Sequence, residues 1–132
     1  MKETVVVTDI ETQKQDHPHA ISIEPSSQRV RVIVADLVIA DSVNAKVLHE
    51  KGLDDVLYLP RKDVVMAELQ QTDHSTHCPF KGDATYFSIP AGGERSTNAV
   101  WSYESPLPGA EAIQNYVAFY PDRVTRIETV PS

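Results

Sequence analysis

Apolar and polar positions alternate in short stretches along this chain, each stretch closed by proline, glycine or a polar cluster. Ala20-Ile21-Ser22-Ile23-Glu24 has period two and reads as a strand, followed by a turn at Pro25-Ser26-Ser27. Arg29 to Ile33 alternates again, and the apolar side continues through Val38 and Ile39. This predicts two strands paired around a tight bend near Ala35-Asp36. Val43 to Lys51 follows Asp41-Ser42, which resembles a helix N-cap, and ends at Lys51-Gly52, which resembles a helix C-terminus. It is read as a helix. Asp55 to Leu59 is a strand stopped by Pro60, and Asp63 to Leu69 is ambiguous, with room for a helical turn. Asp73 to Pro79 is polar and reads as irregular.

The second half repeats this grammar. Ala84 to Ile89 is a strand, Ala91 to Arg95 a hairpin loop, and Ala99 to Tyr103 the returning strand. Ala110 to Asn115 is a second short helix, and Tyr116 to Tyr120 and Val124 to Val130 are the remaining strands. The two halves leave their strands alike. Val56-Leu57-Tyr58-Leu59-Pro60 is followed by Arg61-Lys62-Asp63-Val64, and Val117-Ala118-Phe119-Tyr120-Pro121 by Asp122-Arg123-Val124. The expected fold is therefore mainly β: a single compact domain of antiparallel strands from residue 19 to 132, with two short helices in two similar β-β-α-β units. Residues 1–18 contain a short Val5-Val6-Val7 run and then a polar stretch ending at Pro18. They read as a mobile N-terminal arm.

Composition supports the strand reading. The 132 residues include 33 Val, Ile and Thr against 18 Ala and Leu, and nine prolines leave little room for long helices. Twelve basic and nineteen acidic side chains give a net charge of −7. That charge excludes a general nucleic-acid footprint. No apolar stretch approaches the roughly 18–20 residues that span a bilayer, so no membrane partner is expected. The chain reads as cytoplasmic. A single cysteine, Cys78, excludes an intrachain disulfide and any multi-cysteine zinc site.

Reactive residue types crowd into positions 73–83: Asp73, His74, His77, Cys78, Lys81 and Asp83. Three chemistries are open to them. His74 and His77 with Cys78 and an aspartate offer metal-ligand types. However, His77 and Cys78 are adjacent and diverge in a strand, so no metal site is assigned. Cys78 is a candidate nucleophile, with His77, His74 or His49 as its base and Lys81 as a further catalytic candidate. The plainest alternative is that Cys78 is a small apolar residue before a turn-forming proline.

Lys81-Gly82-Asp83 is a turn that can aim Lys81 into a cavity, where it could meet a phosphate or carboxylate, although it is not a P-loop. Trp101 and Tyr103 lie two apart and share a strand face, and Tyr86 falls opposite them across the hairpin. Thr76, Lys81, Tyr86, Trp101 and Tyr103 are therefore the candidate lining of a pocket for a planar or cationic small molecule. Glu50 and Arg61 are expected to form a polar pair nearby.

The run Thr76-His77-Cys78-Pro79-Phe80-Lys81-Gly82-Asp83-Ala84-Thr85-Tyr86 comes first. Val100-Trp101-Ser102-Tyr103 with Pro106 follows, and then Val117-Ala118-Phe119-Tyr120. In that order they resemble the signature of domain-of-unknown-function family 427, which also carries a nucleotidyltransferase-like label. Ala40-Asp41-Ser42, Glu50 and Tyr58 to Pro60 resemble its first half, so the similarity spans about residues 20–127. Phe80 and Phe87 stand where Tyr and Trp are expected. The resemblance implies a compact, tent-like β domain and no established reaction. Nucleotidyl transfer needs neighbouring carboxylates to hold Mg²⁺. No Asp-x-Asp pair is present, and Asp54 and Asp55 are adjacent and diverge in a strand. Three functional classes follow: a small-molecule-binding domain without a built-in cofactor, an enzyme using Cys78, His77 or Lys81, and a homodimeric interaction module joined through strand edges.

Overall fold

The computed structural model describes residues 21–132. The expected arm at 1–18, with Val5-Val6-Val7, lies outside the described residues. Ten strands follow in chain order: β1 (Ile21–Pro25), β2 (Gln28–Val34), β3 (Leu37–Ser42), β4 (Lys46–Glu50), β5 (Val56–Tyr58), β6 (Gln70–Cys78), β7 (Gly82–Ser88), β8 (Val100–Tyr103), β9 (Val117–Phe119) and β10 (Arg126–Pro131). They form three antiparallel sheets, ordered β1-β4-β5, β10-β2-β3 and β6-β7-β8-β9. The domain is mainly β, and its connections contain short 3₁₀ turns.

Each strand face has a destination. Tyr86 pairs with Trp101, which pairs with Ala118, while Ala84 lies between Thr76 and Tyr103. Paired residues share a sheet face, so these side chains lie together. Their buried members Ala84, Tyr86, Tyr103 and Ala118 pack with Leu48 and Tyr58 of the β1-β4-β5 sheet. The opposite face presents Phe87, Val100 and Phe119 to Val30, Val32, Val34 and Ile39 of the β10-β2-β3 sheet. The four-stranded sheet therefore has a core on each side.

The hairpin expected around Ala35-Asp36 is present, with Val34 opposite Leu37. The helix expected at 43–51 is not. Lys46–Glu50 forms β4, paired with both β1 and β5. The apparent caps are turn chemistry. Ser42 Oγ accepts from the Asn44 N–H while donating to Asp63, and Leu53 N–H closes a turn onto the Glu50 carbonyl past Gly52. Two neighbouring strands outweigh a weak local helix preference.

Residues 73–78, expected to be irregular, belong to β6. This strand is at a sheet edge and exposed over most of its length, so its sequence carries no apolar alternation. The helix expected at 110–115 is a 3₁₀ turn at Glu111–Ile113, and the loop at 91–95 sits within 3₁₀ turns over Pro90–Ser96.

The similar strand exits meet in space. Leu59 and Val117 exchange N–H···O bonds of 2.8 and 2.9 Å, joining the β5 and β9 ends. Each exit then enters a 3₁₀ turn, at Arg61–Asp63 and at Pro121–Arg123. The helix of the first repeat unit is absent because that segment is β4. Among the described residues, no helix is long and apolar enough to cross a membrane.

Candidate functional site

Where the β1-β4-β5 sheet faces the β6-β7-β8-β9 sheet, the two do not close completely. A cavity of about 220 Å³ remains, lined by Glu50, Lys81, Tyr86, Trp101, Tyr103 and Tyr120 among others. Five of the seven side chains read from the sequence as pocket residues thus meet at one cavity. β4 supplies Glu50, the turn before β7 supplies Lys81, β7 supplies Tyr86, and β8 supplies Trp101 and Tyr103.

Lys81 is aimed by its turn. Gly82 adopts φ +111°, in the region that favours glycine, and a Cβ there would sit 3.3 Å from the Ser105 carbonyl oxygen. The Leu107 N–H binds the Lys81 carbonyl at 3.0 Å and fixes the turn against the 105–107 loop. Lys81 Nζ then donates to Glu50 Oε1 at 2.7 Å, with side-chain exposures of only 11% and 7%. The expected Glu50–Arg61 pair does not form. Arg61 lies over Phe87 on the opposite face of the sheet and donates to Ser102 Oγ and Glu104. Arg61 is therefore placed apart from the cavity.

Tyrosine hydroxyls and the apolar side chains of Leu48, Leu53 and Val56 line much of the rest. Thr76 does not reach the cavity but bonds the Tyr86 hydroxyl at 3.0 Å, and that hydroxyl lies 3.3 Å from the Tyr120 hydroxyl. Trp101 Nε1 donates to the Tyr58 hydroxyl at 3.1 Å. The Trp101 and Tyr120 rings lie 4.5 Å apart. Burial raises the Tyr58 and Tyr103 phenols far above the ordinary value of 10, and burial chiefly moves Tyr120 up to about 12. All three are neutral near pH 7 and can donate hydrogen bonds.

Tyr58 and Tyr120 were missed as pocket residues. The signal for both lies in the repeated exits, with Tyr58 two positions before Pro60 and Tyr120 immediately before Pro121. Leu48 and Glu50 share a sheet face with Tyr58 only because β4 is a strand.

The thiol reading finds no assembled pair. Cys78 is half-buried and packs against the Tyr86–Tyr103 cluster. His77, exposed, bonds Asp83 at 2.7 Å. His74 lies edge-on to the Tyr86 ring, and His49 is bonded to Glu24 and Asp55. Among the described residues, no imidazole is bonded to the Cys78 sulfur, and no three His, Cys, Asp or Glu side chains gather as a metal site.

A second cavity, of about 520 Å³, adjoins the first. Both are lined by Asp54, Val56, Trp101 and Tyr120. Its other walls are mostly apolar, from Val30, Val32, Leu57, Leu59, Phe119 and Ile127.

Three antiparallel sheets with an aromatic cavity between two of them define a small β domain whose inter-sheet cavity with Lys81 and Glu50 is assembled from both halves of the chain. The chain belongs to the family described as domain of unknown function DUF427, whose model matches residues 22–130. No curated protein matches the sequence significantly.

Proposed function

We propose that this protein is a small-molecule-binding domain whose ligand sits between the β4–β5 and β7–β8 strands. The observation that carries this reading is the Lys81–Glu50 pair. Two charged groups, both about nine-tenths buried, are held beside Tyr58, Tyr86, Trp101, Tyr103 and Tyr120 at the edge of a cavity. Buried charge is costly and contributes little net stability to a fold. A few convergent polar groups in an aromatic pocket are the usual composition of a ligand site. The ligand class that suits it is planar or cationic, held by ring faces and phenol donors.

A thermal-shift screen of the whole chain against a metabolite library tests this. A ligand that binds only the folded state raises the unfolding temperature, by about 2.7 kcal/mol of added stability at a hundredfold excess over Kd. Val56→Trp, on the wall shared by both cavities, should abolish the shift of a true ligand while leaving the unliganded midpoint close to that of the parent. A library without hits, or hits indifferent to Val56→Trp, would refute the reading.

A further inference from the structure

We infer that the ligand is an amphiphilic organic cation, with an ammonium-type head in the Tyr/Trp cavity and an apolar body in the adjoining chamber. This rests on the binding reading above and narrows it to one ligand class.

Charge comes first. Among the described residues, three formally charged side chains line the smaller cavity: Glu50, Asp54 and Lys81. Lys81 is already bonded to Glu50 at 2.7 Å, which leaves it poorly placed to receive an anion. Asp54 stands on the exposed 51–55 turn and has no ion-pair partner among the described residues. The larger chamber adds Asp54 again and Asp55, and Asp55 is bonded to His49. The raised phenols of Tyr58, Tyr103 and Tyr120 are neutral, so the charged side chains of the lining sum to an excess of negative charge.

The aromatic lining favours the same sign. The face of an indole or phenol ring is electron-rich and attracts a cation. Trp101 and Tyr120 line both cavities, and the Arg123 guanidinium already lies over the Tyr120 ring, 4.4 Å from its centroid, so a head held against Trp101 leaves its substituent at the mouth of the apolar chamber. Val30, Val32, Leu57, Leu59, Phe119 and Ile127 there offer no hydrogen-bonding side chain. A polar body would lose its water without compensation, whereas an alkyl or aryl body gains by burial.

Trp101 is the sole tryptophan of the chain, so its fluorescence reports on the shared wall directly. The experiment titrates the full chain with n-hexylammonium, ethylammonium, n-hexanol and hexanoate. Expected is a saturable Trp101 response to hexylammonium, tightening by about fourfold per methylene from ethyl to hexyl. Hexanol should bind several-fold more weakly and hexanoate at least tenfold more weakly. Asp54→Asn, at an exposed position, should weaken hexylammonium several-fold and leave hexanol unchanged. Hexanol or hexanoate binding as tightly as hexylammonium, or an affinity independent of chain length, would overturn the inference while leaving a ligand site in place. Silence from all four probes would also overturn it. If the library screen then yields no compound sensitive to Val56→Trp, the binding reading falls with it.

Discussion

Removing the ammonium of Lys81 tests the energetic argument most directly. Lys81→Met keeps most of the side-chain volume and deletes the charge. Glu50 then stays on β4 without its 2.7 Å partner, with a side chain 7% exposed and close to Leu48, Tyr58 and Tyr103. Were the pair exposed, its loss would cost about 0–1 kcal/mol. At this burial the relevant figure is about 3–5 kcal/mol, because a charge is left in a poorly solvated site. Unfolding entropy of about 2.1 cal/mol/K per residue gives roughly 0.28 kcal/mol/K for this length, so a 3 kcal/mol loss lowers Tm by about 10 °C. Adding Glu50→Leu removes that buried carboxylate and should recover most of the loss, a coupling of about 2 kcal/mol or more in a double-mutant cycle. Urea unfolding followed by Trp101 fluorescence, with calorimetry alongside, supplies all four corners. A single variant within 1 kcal/mol of the parent, or a double variant less stable than Lys81→Met, would show that the pair is screened by water and would remove its special status.

Two further predictions concern the scaffold. Gly92→Ala places a Cβ on the Ser96 hydroxyl, which donates to the Arg123 carbonyl at 2.6 Å, and within 2.9 Å of Val34 Cγ1. The variant should be destabilised by about 1–3 kcal/mol, and an unchanged urea midpoint would contradict the packing described around that turn. His49 lies between Asp55 and Glu24, at 2.8 and 2.7 Å, and its hydrogen bond to Asp55 chiefly raises its pKa above the ordinary 6.5. A raised folded-state value stabilises the fold fully below pH 6.5, and the contribution fades as pH climbs through the folded value. An NMR titration of the His49 ring should give a midpoint above 6.5, and a midpoint at or below 6.5 would refute the bridging geometry.

Local alternation was a sound guide wherever a strand has one face in a core. Tyr86 opposite Trp101, and the β2–β3 hairpin, are both readable from period two and an intervening turn. It failed at β6, whose exposed edge position removes the apolar half of the pattern. At β4 the signals were present and ambiguous, since Ser42 and Gly52 serve a strand's turns as readily as a helix's ends. Lys81, Tyr86, Trp101 and Tyr103 were legible as pocket residues because they lie within one stretch of chain. Glu50 is also read as lying near the pocket, but its pairing with Lys81 was not legible, since it lies 31 positions away on a different sheet. Arg61 was misplaced for the same reason: face assignment across sheets requires the tertiary arrangement.

The pairing of β10 with β2 sets the order in which this molecule can fold. Arg31 of β2 meets Glu128 of β10 across 97 positions, and Ser132 binds the Ser27 carbonyl across 105. The β2–β3 hairpin can close early and locally, but its outer edge stays open until the rest of the chain has been made and gathered. Long-range pairings of this kind slow folding, because the entropy of loop closure is lost before any contact repays it. Until β10 arrives, β2 offers an unpaired edge beside Val30, Val32 and Val34, an aggregation hazard for the nascent chain. The polar, charge-bearing face of that strand, with Arg29 bonded to Asp41 and Arg31 Nε 3.7 Å from the same carboxylate, disfavours stacking of two such edges during the interval.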